Sequence, residues 1–156
     1  AYTQNYTFLP GLLSGLYFAG NVTFSDSNAR LRNADREFSL PDQADIVGNL
    51  SLGWENSDFS LRWSGNYSSE RLLQLNAGFL ANGLARDDGD LFERSRWSMD
   101  VNARWNVTDG IQAYFDAVNI NGAQDQRFFL APAVGGIYNQ IEDYGATYQI
   151  GVRARF

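Results

Sequence analysis

The stretch YGATYQIGVRARF, residues 144–156, decides the fold. Tyr144, Ala146, Tyr148, Ile150, Val152, Ala154 and Phe156 occupy alternate positions and are all apolar or aromatic. Between them stand Gly145, Thr147, Gln149, Gly151, Arg153 and Arg155, which are polar, charged or without a side chain. Neighbouring side chains of a β-strand point to opposite faces, so this is a strand with one oily and one wet side. In a water-soluble protein a long aromatic strand with an open edge invites pairing with other chains. A transmembrane β-barrel needs such a strand to complete its ring.

Outward from that segment the same period recurs. Alternation marks strands over 1–8, 16–25, 45–54, 59–68, 96–105 and 111–119, which with 144–156 makes about seven. The pattern is clearest where Trp97, Met99, Val101, Ala103 and Trp105 alternate with Arg96, Ser98, Asp100, Asn102 and Arg104. The connections sort by length: 9–15, 55–58 and 106–110 are short, whereas 26–44, 69–95 and 120–143 are long and polar. Up-and-down outer-membrane barrels alternate short periplasmic turns with long external loops in this way. Aromatic and bulky apolar residues gather at the strand ends. Trp54, Phe59, Trp105, Ile111 and Phe156 lie at the short-turn end, and Tyr67, Trp97 and Tyr144 at the long-loop end. They form two girdles at the depths of the lipid headgroups. The expected fold is all-β, an antiparallel up-and-down transmembrane β-barrel. The alternative is a soluble sandwich or lipocalin-like barrel with the apolar face packed inward. Such cores favour close-packed aliphatic side chains over aromatics at strand ends.

Composition narrows the function. The chain has 156 residues, no cysteine and no histidine, and all 12 of its basic residues are arginine. Disulfides and thiolate metal sites are excluded, and the commonest general base is absent. No nucleophile–base pair and no phosphate-cradling glycine motif is present, so neither an enzyme nor a cofactor-binding protein is expected. A net charge of −6 argues against nucleic acid as a partner. No apolar run is long enough for a transmembrane helix. The negative mean hydropathy does not oppose a barrel, because every second wall residue faces water. Asp87, Asp88 and Asp90 cluster around Gly89, but the remaining spacing of a calcium loop is missing, so a solvated loop is expected and no metal.

The segments NYTFLPGLLSGLYFAGNVTFSDS (5–27), LPDQADIVGNLSLGWE (40–55), FDAVNI (115–120) and the terminal YGATYQIGVRARF together make the chain resemble the C-terminal part of a TonB-dependent outer-membrane receptor. The resemblance runs from near the first residue to the last. It implies a barrel of about 22 strands filled by an N-terminal plug. Residues 1–156 are then its C-terminal portion, with the plug and earlier strands outside the segment. An odd strand count agrees, since bacterial single-chain barrels have even numbers. The implied function is import of a scarce nutrient (siderophore, vitamin or oligosaccharide) across the outer membrane of a Gram-negative bacterium, with energy from TonB. The alternative is a small structural, adhesive or passive-pore barrel.

The implied partners are outer-membrane lipid and lipopolysaccharide, the barrel-assembly machinery, the plug, TonB and a small-molecule ligand. Tyr148, Ile150, Val152 and Phe156 fit the family's assembly signal, while Ala154 stands where an aromatic is common. The same residues also serve simply as lipid-facing side chains. Phe79, Phe92, Phe128, Phe129 and Tyr138 in the long loops are candidate ligand contacts, or else order the loops against one another. Arg96, Asp100, Arg104, Asp116, Arg153 and Arg155 are expected to face the lumen or plug. Arg153 and Arg155 there meet plug carboxylates, lumenal ones such as Asp116 and Asp100, or water.

Overall fold

The structure is a computed structural model that describes residues 1–30, 37–75, 89–131 and 135–155. Thirteen strands fall in chain order: β1 (Tyr2–Asn5), β2 (Leu16–Phe24), β3 (Ala29–Arg30), β4 (Glu37–Phe38), β5 (Ile46–Glu55), β6 (Phe59–Ser68), β7 (Arg71–Gln74), β8 (Asp90–Glu93), β9 (Arg96–Thr108), β10 (Ile111–Val118), β11 (Asp125–Ala131), β12 (Gly135–Glu142) and β13 (Thr147–Ala154). One 3-10 turn, Gly11–Gly15, follows Pro10. All helix is otherwise absent among the described residues, and none is long and apolar enough to cross a membrane.

Seven strands form one antiparallel sheet in the order β1-β2-β5-β6-β9-β10-β13. These are the seven segments that the alternation marks. The first is shorter than expected, ending at Asn5 before a turn in which the Leu9 N–H donates to the Tyr6 carbonyl at 2.9 Å. The sheet is open among the described residues: β1 and β13 are its two edges and do not pair with each other.

Register follows the period-two pattern row by row. Directly paired residues share a face, and one row runs Gln4, Phe18, Leu52, Trp63, Val101, Ala117, Tyr148. The row on the other face runs Asn5, Tyr17, Gly53, Arg62, Asn102, Asp116, Gln149. A slip of one residue anywhere would put arginines among tryptophans, which is why the register is fixed. Short turns hold the hairpins. The Asn56 side chain caps the 55–58 turn, its Oδ1 accepting from the N–H groups of Asp58 and Phe59 at 2.9 and 2.7 Å.

The long connections are not irregular loops, as alternation alone suggests, but carry hairpins of their own. β3 pairs with β4 inside the first. The second and third build a common four-stranded sheet in the order β12-β11-β8-β7. These strands continue β13, β10, β9 and β6 in the same neighbour order, past a break. The two excursions are joined along β8 and β11, where Phe92 faces Phe128 and Glu93 faces Arg127.

Among the described residues, the apolar face of the large sheet has no layer against it. Ile150 is 84% exposed, Val152 69%, Tyr148 66% and Phe24 74%. Only Ala44, Leu72, Ala117 and Phe128 are buried apolar residues among those described. A water-soluble domain of this size buries a contiguous core instead. The aromatics of this face touch along the strand ends: Trp54 with Phe59 near the short turns, and Trp97 with both Trp63 and Tyr67 near the long excursions.

Candidate functional site

The polar face of the seven-stranded sheet is a connected network. Arg104 pairs with Asp116 at 2.8 Å, and the Asn102 amide donates to the same carboxylate at 2.7 Å. Arg62 donates to Asn102 Oδ1 at 2.9 Å. The Arg104 guanidinium also stands 5.5 Å from the centre of the Tyr114 ring. Two tyrosines of this face lie flat over glycines of the neighbouring strand, Tyr17 over Gly53 and Tyr114 over Gly151; a Cβ at either glycine would meet ring atoms. The charges at its centre are therefore matched laterally, which suits a wall that meets water or another polar surface on one side.

Of the residues expected on the wet face, Arg96, Asp100, Arg104, Asp116 and Arg153 all share it by register. Asp116 is held by Arg104 and Asn102, and Asp100 accepts from the Asn119 N–H at 2.9 Å. Arg153 instead pairs across from Gln112 and, with Arg155, borders an open recess of about 750 Å³ beside Asp58, Asn106 and Asp109 at the short-turn end. Neither arginine makes an ion pair among the described residues.

At the opposite end Asn119 ties the break between the sheets. It is buried, with a φ of 55°, a left-handed conformation that asparagine tolerates better than most residues. Its amide donates to the carbonyls of Ala123 at 3.1 Å and Gly145 at 3.0 Å, and its Oδ1 accepts from the Ala123 N–H at 2.8 Å. Asn121 reaches back to β9, accepting from the Met99 N–H and donating to the Trp97 carbonyl. Nearby, Asp143 accepts from the Gln124 amide and the Gly145 N–H, which hold its carboxyl below the usual aspartate range.

Above that tie lies a recess of about 300 Å³ between the polar face and the second sheet. Asn49, Asn66 and Ser98 form its floor, and Arg71, Glu93, Arg94, Arg96 and Asp125 its rim. Glu93 is shared by Arg71 and, at 3.8 Å, by Arg127. Arg96 Nε lies 2.9 Å from Asp125 Oδ1, but off the line of a hydrogen bond. Arg94 spreads over two rings, 5.6 Å from the centre of Phe128 and 5.4 Å from that of Tyr138.

The loop aromatics are thus partly brought together. Phe92 and Phe128 stack at 5.9 Å, and Tyr138 shares Arg94 with Phe128. Phe129 points to the other face of β11, paired with Leu91 and Ile137. Phe79 lies outside the described residues, as do Phe156 and the carboxylates Asp87 and Asp88. Asp90 is buried, and no group of metal-ligating side chains occurs among the described residues. Tyr148, Ile150 and Val152 all stand on the exposed apolar face. Alternation gave no sign of Arg71, Glu93, Arg94, Asn119 or Asp125, because each sits in a short strand or a turn. The spacing of Arg94 and Arg96 about Ser95 was the one available signal.

Compared with known proteins, the chain matches no protein-family model, no curated protein and no solved structure.

Proposed function

We propose that this chain is a wall segment of a transmembrane β-barrel in the outer membrane of a Gram-negative bacterium, and that the barrel is an active transporter of the TonB-dependent type. The observation that carries the reading is the uncovered apolar face, with Ile150 at 84% exposure amid tyrosine and valine neighbours. Leaving so much hydrocarbon in water is unfavourable by about 25 cal/mol per Å². Against acyl chains the same face costs nothing, and the aromatic contacts at both strand ends suit the two headgroup regions. The matched charges of the opposite face support an aqueous or plug-filled interior. The open edges of β1 and β13 support further strands on both sides, because an unpaired edge at membrane depth is costly. Import, rather than passive flow, is favoured by the family resemblance, with the excursions as the ligand-capturing end and a plug as the gate.

Ile150→Arg tests the membrane placement. At the midplane of a bilayer an outward arginine costs about 2–4 kcal/mol. On a surface already bathed in water it changes stability by less than about 0.5 kcal/mol. Folding of the intact protein into lipid vesicles, followed by urea titration, separates the two. A variant as stable as the parent overturns the reading.

A further inference from the structure

We propose that the short turn between β1 and β2 is a foot that seats in the phospholipid interface at the short-turn end of the wall. The proposal rests on the membrane reading above and adds a lipid contact outside the strands. The three short turns differ in chemistry. Those over 55–58 and 106–110 carry Glu55, Asp58 and Asp109. The turn over 9–15, LPGLLSG, carries no charge, and no charged side chain occurs from Ala1 to Ser25. Phe8, Leu12 and Leu13 are exposed there, Leu12 at 77%. Apolar side chains clustered on an ordered surface element mark a contact with another apolar phase.

Trp54 indicates which phase. It stands on the apolar face, in register with Leu16 and Leu61. Its indole N–H donates to the Leu12 carbonyl. The Gly11–Gly15 turn is thereby drawn toward the oily side of the wall, against the ring that also meets Phe59. Tryptophan favours headgroup depth, because its ring is apolar and its N–H is polar. Gly15 permits the close approach, since a Cβ there would meet the Glu55 carbonyl oxygen. The leucines therefore continue the exposed apolar surface rather than start a separate patch. The turn also satisfies its own backbone. The Tyr6 carbonyl accepts from the Leu9 N–H, Gly11 from the Ser14 hydroxyl at 2.8 Å, Leu12 from Trp54, and Leu13 from the Leu16 N–H. Unpaired carbonyls would hold such a turn in water, whereas bonded ones let it leave. With no charge to offer, it suits zwitterionic lipid rather than a protein partner steered by ion pairs.

The test places one nitroxide label at a time on the intact protein in phosphatidylcholine vesicles. Residues 1–156 contain no cysteine. Leu12→Cys, Leu13→Cys, Ser57→Cys and Ile150→Cys therefore each give a single site in an otherwise cysteine-free background. Paramagnetic resonance with oxygen and with a water-soluble nickel chelate reads the depth of each label. Labels at Leu12 and Leu13 are expected just below the headgroups, within the about 5–10 Å that interfacial elements reach. Ser57, in the neighbouring polar turn, is expected in water, and Ile150 deep among the acyl chains. Leu13→Cys keeps the test open should Leu12→Cys fail to fold. Labels at Leu12 and Leu13 as open to the chelate as Ser57, with Ile150 still deep, overturn the foot and leave the membrane reading standing. Labels there shielded from both reagents also overturn it, since protein then covers the turn. A label at Ile150 open to the chelate sinks the membrane reading, and the foot with it.

Discussion

Gly151→Ala adds a single methyl group and is expected to destabilise the sheet through one neighbour. A Cβ built at Gly151 falls 2.7 Å from Cε1 of Tyr114 and closer still to Cζ and the hydroxyl oxygen. Carbon atoms rest about 3.5–4.0 Å apart, so the ring has to lift by about 1 Å. Lifting disturbs the Arg104 guanidinium at 5.5 Å and the Gln149 hydrogen bond at 3.4 Å. The ring is only half-buried, so the cost belongs near the lower end of the overpacking range, about 1–2 kcal/mol. Removing the ring reverses the sign. In a Tyr114→Ala background, alanine replaces a strand glycine with no obstacle, which gains about 0.5–1 kcal/mol from reduced backbone freedom. Urea unfolding of the intact protein in vesicles, followed by tryptophan fluorescence, gives all four corners of this cycle. The expected coupling is about 1.5–3 kcal/mol, the upper part of the range for touching residues. Equal effects of Gly151→Ala with and without Tyr114 would refute the packing argument.

Other consequences are as direct. Asn119→Ala removes three hydrogen bonds to backbone groups and forces alanine to a positive φ; about 2–4 kcal/mol is expected from the unpaired groups and the strain together. Asn119→Gly, which relieves only the strain, should recover a minority of that loss, and full recovery would show the side-chain bonds to be dispensable. The Asp143 carboxyl has its pKa lowered in the folded state by Gln124 and Gly145. Its contribution is therefore complete above the ordinary aspartate value and is lost as the pH falls through the lower folded one. Hydrogen exchange at the Gly145 amide should stay slow down to about pH 4 and quicken only below it; quickening at pH 6 would contradict this. On the proposed reading, exchanging Arg153 and Arg155 together for Gln is expected to lower the urea concentration at which the proposed plug leaves the proposed barrel, and unchanged retention would remove the idea that these arginines hold it.

The strands of the large sheet were legible because they carry a period of two, interrupted in β1 by Gln4, on a face that no layer among the described residues covers. Nothing else competes with that signal, and β6 falls on the residues the alternation marks. The excursions were not legible for the opposite reason. β8 has four residues, too few for a period to show, and in β11 the adjacent Phe128 and Phe129 break the alternation at a register shift. Their pairing is a tertiary fact: β8 meets β11 across 31 intervening residues, from Arg94 to Gln124. Asn119 reads in sequence as the polar last residue of the strand over 111–119, and only its neighbours in space reveal that it lies past the strand, buried and triply bonded. Of the five loop aromatics, the pattern identified a group rich in aromatic side chains but not the partner, Arg94, that organises two of them.

The shared strand pair β8–β11 has a practical consequence for anyone who would graft an epitope or trim the surface of this protein. Deleting either hairpin alone strips its companion of hydrogen-bond partners and bares a raw edge to solvent, a template for aggregation. The two projections form a single plank, to be shortened together or left alone.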